Sequence, residues 1–130
     1  MKNIIDLFDN EKKELSPMIN YFISLSDKKF LKVLRCFSEG NGYGDEYHMC
    51  TFSGDLDPWD EDYFESGIEF LDGTGESDIS IIVDNDTFYK YLEIISNEYV
   101  RNYPDDKSEV EVLLKKTKQN IKNINIPGKN

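Results

Sequence analysis

An α+β fold is expected for this chain: a small antiparallel sheet of about three strands, flanked by two N-terminal and two C-terminal helices. Three observations lead there. Apolar residues recur at helical spacing towards both ends, β-branched and aromatic runs divided by short turns fill the middle, and 130 residues suit one domain spanning 1–130. Strands that follow one another through short turns pair antiparallel, and helices then gather on one face or end of the sheet.

Taken in order, Asn3–Phe8 is a short apolar opening. Ser16-Pro17 reads as a helix start, with Ser at the N-cap and Pro at the first helical position. Met18, Tyr21, Phe22 and Leu25 then form an apolar stripe. Asp27 is expected to cap a second helix, along which Phe30, Leu31, Val33, Leu34 and Phe37 keep the helical period, and Gly40 ends it. Asn41-Gly42 and Gly44 read as a loop. Three strands are expected next: one over Tyr47–Ser53, one over Phe64–Leu71, and the β-branched run Ile79–Val83. Between them lie the acidic loop Gly54–Asp62 and the turn Asp72-Gly73-Thr74-Gly75. Asp84 or Asp86 should cap a third helix with Phe88, Tyr91, Leu92, Ile95 and Tyr99 on one face, stopped by Pro104. Asp105 or Asp106 should open a fourth, with Val110, Leu113, Leu114, Thr117 and Ile121 facing inward. Residues 1–15 and 124–130 are expected to be loosely ordered.

A chain of this length buries roughly two-thirds of its unfolded surface, so it can fold without staples. Eight Tyr and eight Phe set it apart from acidic disordered chains, which are poor in rings. Cys36 and Cys50 match no metal-ligand or redox spacing and read as reduced thiols. Asp6 and Asp9 interrupt any leader-like apolar stretch, and no long apolar run occurs, so a cytoplasmic protein with no membrane partner is expected.

The net charge of -11 conceals an uneven layout. Between Cys36 and Tyr89 there is no Lys or Arg, while fifteen Asp and Glu residues fall there. The rest of the chain is therefore net positive. Nucleic acid is excluded as a partner for such a surface, and a basic protein is its natural complement. A solvating role explains most acidic runs, but a block of one sign repels itself, and mixed charge would serve solubility better. This block is also interleaved with Tyr43, Tyr47, Phe52, Trp59, Tyr63, Phe64 and Phe70. Rings that anchor beside charges that steer are the makings of a recognition surface.

Catalytic motifs are missing. His48 is the lone histidine and lies within a strand-like run, where a structural role is the simpler reading. There is no G-x-S-x-G, P-loop or dinucleotide fingerprint; Gly40-Asn41-Gly42-Tyr43-Gly44 follows a helix and precedes a strand, the wrong context for phosphate, beside the repelling Asp45 and Glu46. Carboxylate pairs arise by chance in so acidic a chain and say little about glycoside chemistry. Asp55-Leu56-Asp57 opens like a calcium loop, but Trp59, Asp60 and Ser66 occupy the positions that should be Asp or Asn, Gly and Glu. Asp84-Asn85-Asp86 fails likewise. No enzyme activity, cofactor or metal is expected.

Two stretches carry a family resemblance. Ser38-Glu39-Gly40-Asn41-Gly42-Tyr43-Gly44, an aromatic strand, Gly54-Asp55-Leu56-Asp57, Tyr63-Phe64-Glu65 and Gly67-Ile68-Glu69-Phe70 make the first; Phe88-Tyr89-Lys90-Tyr91-Leu92, Tyr99 and Tyr103-Pro104-Asp105-Asp106-Lys107 make the second. Together, over Phe30 to Leu114, they resemble the immunity proteins of contact-dependent growth inhibition systems, in the group paired with ribonuclease toxins. The resemblance implies a protein that binds the C-terminal toxin domain delivered by a neighbouring cell and neutralises it. That fits the charge argument, because a ribonuclease cleft is lined with basic side chains that hold phosphates. The expected contact surface is Asp55, Asp57, Trp59, Asp60, Glu61, Asp62, Tyr63 and Glu65, flanked by Tyr43, Asp45 and Glu46. Trp59 would anchor it; its hydrophilic neighbours favour exposure over a core position. An interface carried by the helices is the alternative arrangement, and an acidic nucleic-acid mimic that inhibits a DNA-binding or restriction protein is the alternative function.

Overall fold

The protein was analysed as a computed structural model that describes residues 15–124 except 46, 54, 55, 62 and 65, with side chains described as far as Ile121. The opening at Asn3–Phe8 and, but for Leu15 and Ile124, the loose ends expected at 1–15 and 124–130 lie outside the described residues.

The first helix, α1 (Ser16–Ser24), starts one residue away from expectation. Ser16 is already helical, and Leu15 takes the cap position with no side-chain acceptor to offer. Pro17 sits in the first turn, where its missing N–H leaves no gap. In α2 (Asp27–Ser38) the cap is Ser26 rather than Asp27, its Oγ accepting the Lys29 N–H at 3.3 Å. Asp27 instead occupies the first turn, where a negative charge meets the positive end of the helix dipole. Gly40, at φ 82°, closes α2 as the left-handed residue of a Schellman motif: Gly40 N–H donates to Phe37 O and Asn41 N–H to Cys36 O, each at 3.0 Å.

The sheet is an antiparallel meander of four strands in chain order: β1 (Tyr43–Gly44), β2 (His48–Phe52), β3 (Ile68–Asp72) and β4 (Ile79–Val83). The added strand, β1, comes from the glycine-rich stretch read as a loop; Tyr43 lies opposite Cys50 and Gly44 opposite Met49. Only the second half of the run over Phe64–Leu71 is strand. Asp72, assigned to a turn, is paired opposite His48. The strand period of two sorts each strand by face. Cys50, Phe52, Ile68, Phe70 and Val83 are buried on one side, while Met49, Leu71 and Ile82 point to the other.

Asp84 caps α3 (Asn85–Asn102), its Oδ1 accepting the Thr87 N–H at 2.7 Å. Pro104 opens a 3-10 turn, Pro104–Asp106, that leads into α4 (Lys107–Ile124). Helix α1 lies across β2, β3 and β4, and α4 packs against both α2 and α3. The core between helices and sheet is built of rings. Phe88 meets Phe37 and Phe52 at 5.5 Å, Phe70 at 6.0 Å and Phe22 at 6.5 Å between centroids. It therefore joins α1, α2, α3 and two strands in one cluster. A second stack, Phe30–Tyr99–Tyr103, ties α2 to the end of α3, with the Tyr99 hydroxyl donating to Asp106 at 2.7 Å and that of Tyr103 to Asp27 at 2.9 Å. Both phenols are pushed above their ordinary range, Tyr99 chiefly by burial and Tyr103 chiefly by its bond to the Asp27 carboxylate.

Two predictions follow from this packing. Phe88→Ala removes the ring shared by four others and should lower unfolding stability by about 3–5 kcal/mol, measured by urea denaturation; a loss within 1 kcal/mol contradicts the central position of that ring. Asp72 is buried and accepts bonds from Thr74 Oγ1 at 2.6 Å, Thr74 N–H at 3.0 Å and Asn20 Nδ2 at 2.8 Å. Those bonds, the Thr74 hydroxyl first, hold its carboxyl below the usual range. Its contribution to stability is thus present above the unfolded carboxyl pKa and lost as pH falls through the lower folded value. The stability gap between the native chain and Asp72→Asn should be widest near neutrality and close in acid.

Candidate functional site

Residues 53–67 connect β2 to β3 and carry most of the expected contact surface. Their shape follows from Asp57-Pro58-Trp59-Asp60. Asp60 N–H donates to Asp57 O at 2.9 Å, and the Asp60 carboxylate accepts the Asp57 N–H at 2.8 Å, closing the turn from both sides. Proline presets the backbone for such a turn, and aspartate satisfies the local donors. Tyr63 N–H then donates to Asp60 O at 3.1 Å and extends the same arrangement. Trp59 at the tip is 80% exposed, which settles its place: it is outside the core. Asp57, Asp60, Glu61 and Tyr63 are exposed around it. Asp55, Asp62 and Glu65 of this set, and Glu46 of the flanking set, lie outside the described residues.

The flanking group sits elsewhere. Tyr43 is half-buried in β1; Lys32 Nζ stands 5.5 Å from its ring centroid, and its carbonyl accepts the Tyr21 hydroxyl at 2.6 Å. Asp45 is exposed, but its Oδ1 accepts the N–H groups of Tyr47 and His48 at 2.9 Å each, and those two bonds lower its pKa. This carboxylate holds the β1–β2 turn in shape. The turn lies at the start of β2 and the Trp59 loop at its end. At about 3.3 Å per residue, the five-residue strand keeps the two groups roughly 13 Å apart.

Of what lies between them, Tyr47 was among the rings noted in the acidic block, while Met49 and Ile82 were not picked out from sequence. Tyr47, Met49 and Ile82, which are 51%, 41% and 52% exposed, lie on the face of the sheet turned away from the helices. Their signal was present in the sequence, since Ile79–Val83 reads as β-strand with apolar residues at both parities. Only the pairing register says which of them turn outward.

The base-free stretch maps onto the fold simply. It begins in the last turns of α2, contains all four strands and ends in the first turn of α3. Every described Lys and Arg is therefore on a helix. Of the described acids in this stretch, all but Glu69 and Asp72 are exposed.

His48 lies 4.0 Å from the nearest oxygen of both Asp45 and Asp72, too far for a hydrogen bond to either. The hollow it borders with Tyr21, Lys29 and Tyr43 measures about 100 Å³, well short of the ~300–1,000 Å³ of a ligand pocket. A shallower depression of about 320 Å³ beside Ser66, Gly67 and the start of α3 has Asp84 in its wall, a residue whose carboxylate is engaged as a cap. Among the described residues no three His, Cys, Asp or Glu side chains converge as a metal site, and no helix is long and apolar enough to cross a membrane. Cys36 is half-buried and Cys50 buried, both as thiols.

Residues 11–114 match the family model described as CDI immunity protein. No curated protein matches the chain.

The exposure of Trp59, the sole tryptophan, can be read directly. Its fluorescence should peak near the wavelength of indole in water. Cesium ion should quench it more efficiently than iodide, because the carboxylates around it exclude anions. A blue-shifted peak with weak quenching would place the ring inside. Trp59→Ala should change stability by no more than about 0.5 kcal/mol.

Proposed function

The chain belongs to the family of CDI immunity proteins, which are non-enzymatic toxin inhibitors, and we propose that its partner is a ribonuclease toxin domain whose basic active-site cleft it covers. The observation that carries this reading is the Trp59 turn: an 80%-exposed indole at the tip of a turn closed by Asp57 and Asp60, in a stretch of chain without a single base. A cleft that binds RNA presents Lys, Arg and His to phosphates, and carboxylates on a rigid turn can take those positions while the indole enters a space shaped for a nucleobase. Asp55, Asp57, Asp60, Glu61, Asp62 and Glu65 supply charge in this scheme, Trp59 and Tyr63 supply contact area, and Tyr43, Asp45 and Glu46 flank them.

The mode of binding accounts for the layout of charge. Electrostatic steering raises association rates towards ~10⁸–10⁹ M⁻¹s⁻¹ at low salt, and an inhibitor waiting in the cytoplasm for an incoming nuclease gains from speed. Truncating a ring at the centre of such an interface removes more affinity than removing any one rim charge.

Co-expression with the toxin domain encoded beside it should protect the host cell, and unchanged killing overturns the reading. The purified pair should bind with a Kd that rises with salt mainly through a slower association rate. Trp59→Ala should cost about 2 kcal/mol or more, roughly thirtyfold in Kd. Combined Asp57→Asn, Asp60→Asn and Glu61→Gln changes should slow association and flatten the salt dependence. If both sets of variants bind like the native chain, the loop is not the contact surface, whatever the partner.

A further inference from the structure

We propose that the outer face of the sheet, around Tyr47, Met49, Leu71 and Ile82, is a second docking surface for the same toxin domain and takes a segment of it that combines aliphatic and cationic side chains. The inference rests on the reading of the chain as a toxin-binding protein and extends it to residues outside the Trp59 loop.

The register builds this face in two rows. Gly44, Met49, Leu71 and Ser80 are successive cross-strand partners, and so are Thr51, Glu69 and Ile82. Directly opposed residues share a face, so each row runs across the sheet on the side away from the helices. The side is flat and open. Gly44 has no room for a side chain, because a Cβ there would collide with the Met49 sulfur, and a Cβ on Gly67, which stands at φ 94°, would come 2.9 Å from Ile82 Cγ2. The thioether and the isoleucine thus lie down over glycines instead of standing over neighbouring side chains. Met49 and Ile82 remain 41% and 52% exposed, and Tyr47 51%, with Leu71 half-buried between them. Among the described residues no helix covers them.

Charge identifies the occupant. Glu69 lies within the second row and Asp78 at the foot of β4, and no Lys or Arg occurs anywhere in the strands or in the turns that join them. A second copy docking face to face would set these carboxylates against one another, since a twofold contact brings the same patch to both sides. A basic partner meets the opposite situation. The methylene stems of its Lys or Arg residues can lie along Met49, Leu71 and Ile82 while the charged heads reach Glu69 and Asp78. The face also sits between the Asp45 turn and the Trp59 loop, so a partner seated on the loop is already beside it. An exposed apolar face next to the edge strand β4 is otherwise a hazard for aggregation.

The test uses the full chain and the toxin domain encoded beside it. Met49→Lys with Ile82→Lys changes two exposed side chains and should leave the melting temperature near that of the native chain, while Kd for the toxin rises roughly tenfold or more. The methyl resonance of Met49, followed in the native chain, should shift on addition of the toxin domain; this readout does not depend on the variant folding. A native chain that neither protects cells nor binds the toxin overturns the functional reading itself. A native chain that binds while the double variant binds equally well, or while the Met49 methyl stays unmoved, overturns this inference and leaves the Trp59 loop as the interface. Native dimers in sedimentation, dissolved by the two lysines, would give the face to a second copy and overturn it as well.

Discussion

The fold depends on one ring. Phe88, in the first turn of α3, is fully buried and meets rings from α1, α2, β2 and β3. Helix and sheet rings also meet without it, Tyr21 with Phe70 at 5.2 Å and Phe37 with Phe52 at 5.4 Å, but among the described residues Phe88 is the ring that touches all four of these elements. Its position is set by Asp84, whose cap fixes where α3 begins, so a backbone bond at the surface determines the placement of the ring at the centre. Its contacts with Phe37 and Phe52 are edge-to-face; such contacts are worth more than their area alone, and they are directional. They fix how the helices lie on the sheet as well as that they adhere to it.

That rigidity is spent on surfaces, not on a cleft. The hollows found among the described residues are small or shallow, and of the carboxylates near them Asp45 holds a turn and Asp84 a cap. Asp45, Asp60, Asp72 and Asp84 each accept a backbone N–H. A chain this acidic thus uses part of its charge as internal fastening, with several carboxylates doing what a Ser or Asn does elsewhere.

The helices were legible in the sequence because their stripes are long and their stops are glycine and proline. The caps were so only in part: Asp84 was one of two residues expected to cap α3 and is its cap, whereas Ser16 and Asp27, expected to cap α1 and α2, are themselves helical. Ser16 and Ser26 offer the same chemistry, and only the backbone decides that the second is a cap while the first is inside the helix. Strand β1 was hidden because two residues, one of them glycine, carry no periodicity, and the start of β3 was placed too early because Phe64 is apolar yet belongs to the loop. For the site, the Asp-Pro-Trp-Asp turn could be read from residue chemistry, including the exposure of Trp59. Tyr43 and Asp45 could not be resolved in the same way, since their engagement depends on Tyr21 and on the amides of Tyr47 and His48, which sequence does not bring together. The outer face of the sheet was invisible for a simpler reason: a one-residue change of register exchanges its members with the core.

The described cations all lie on helices, which carry acids as well, whereas the strands and their loops carry acids alone, and this uneven layout has a consequence for how the molecule meets anything charged. The strand side is then the more negative one, so a distant positive object exerts a torque on the molecule as well as a pull. Within the last ångströms before contact, about a Debye length of ~8 Å at physiological ionic strength, the protein turns its strand side forward before any side chain touches. Encounters with a positive body are thereby biased towards the strand side while water still lies between the two surfaces.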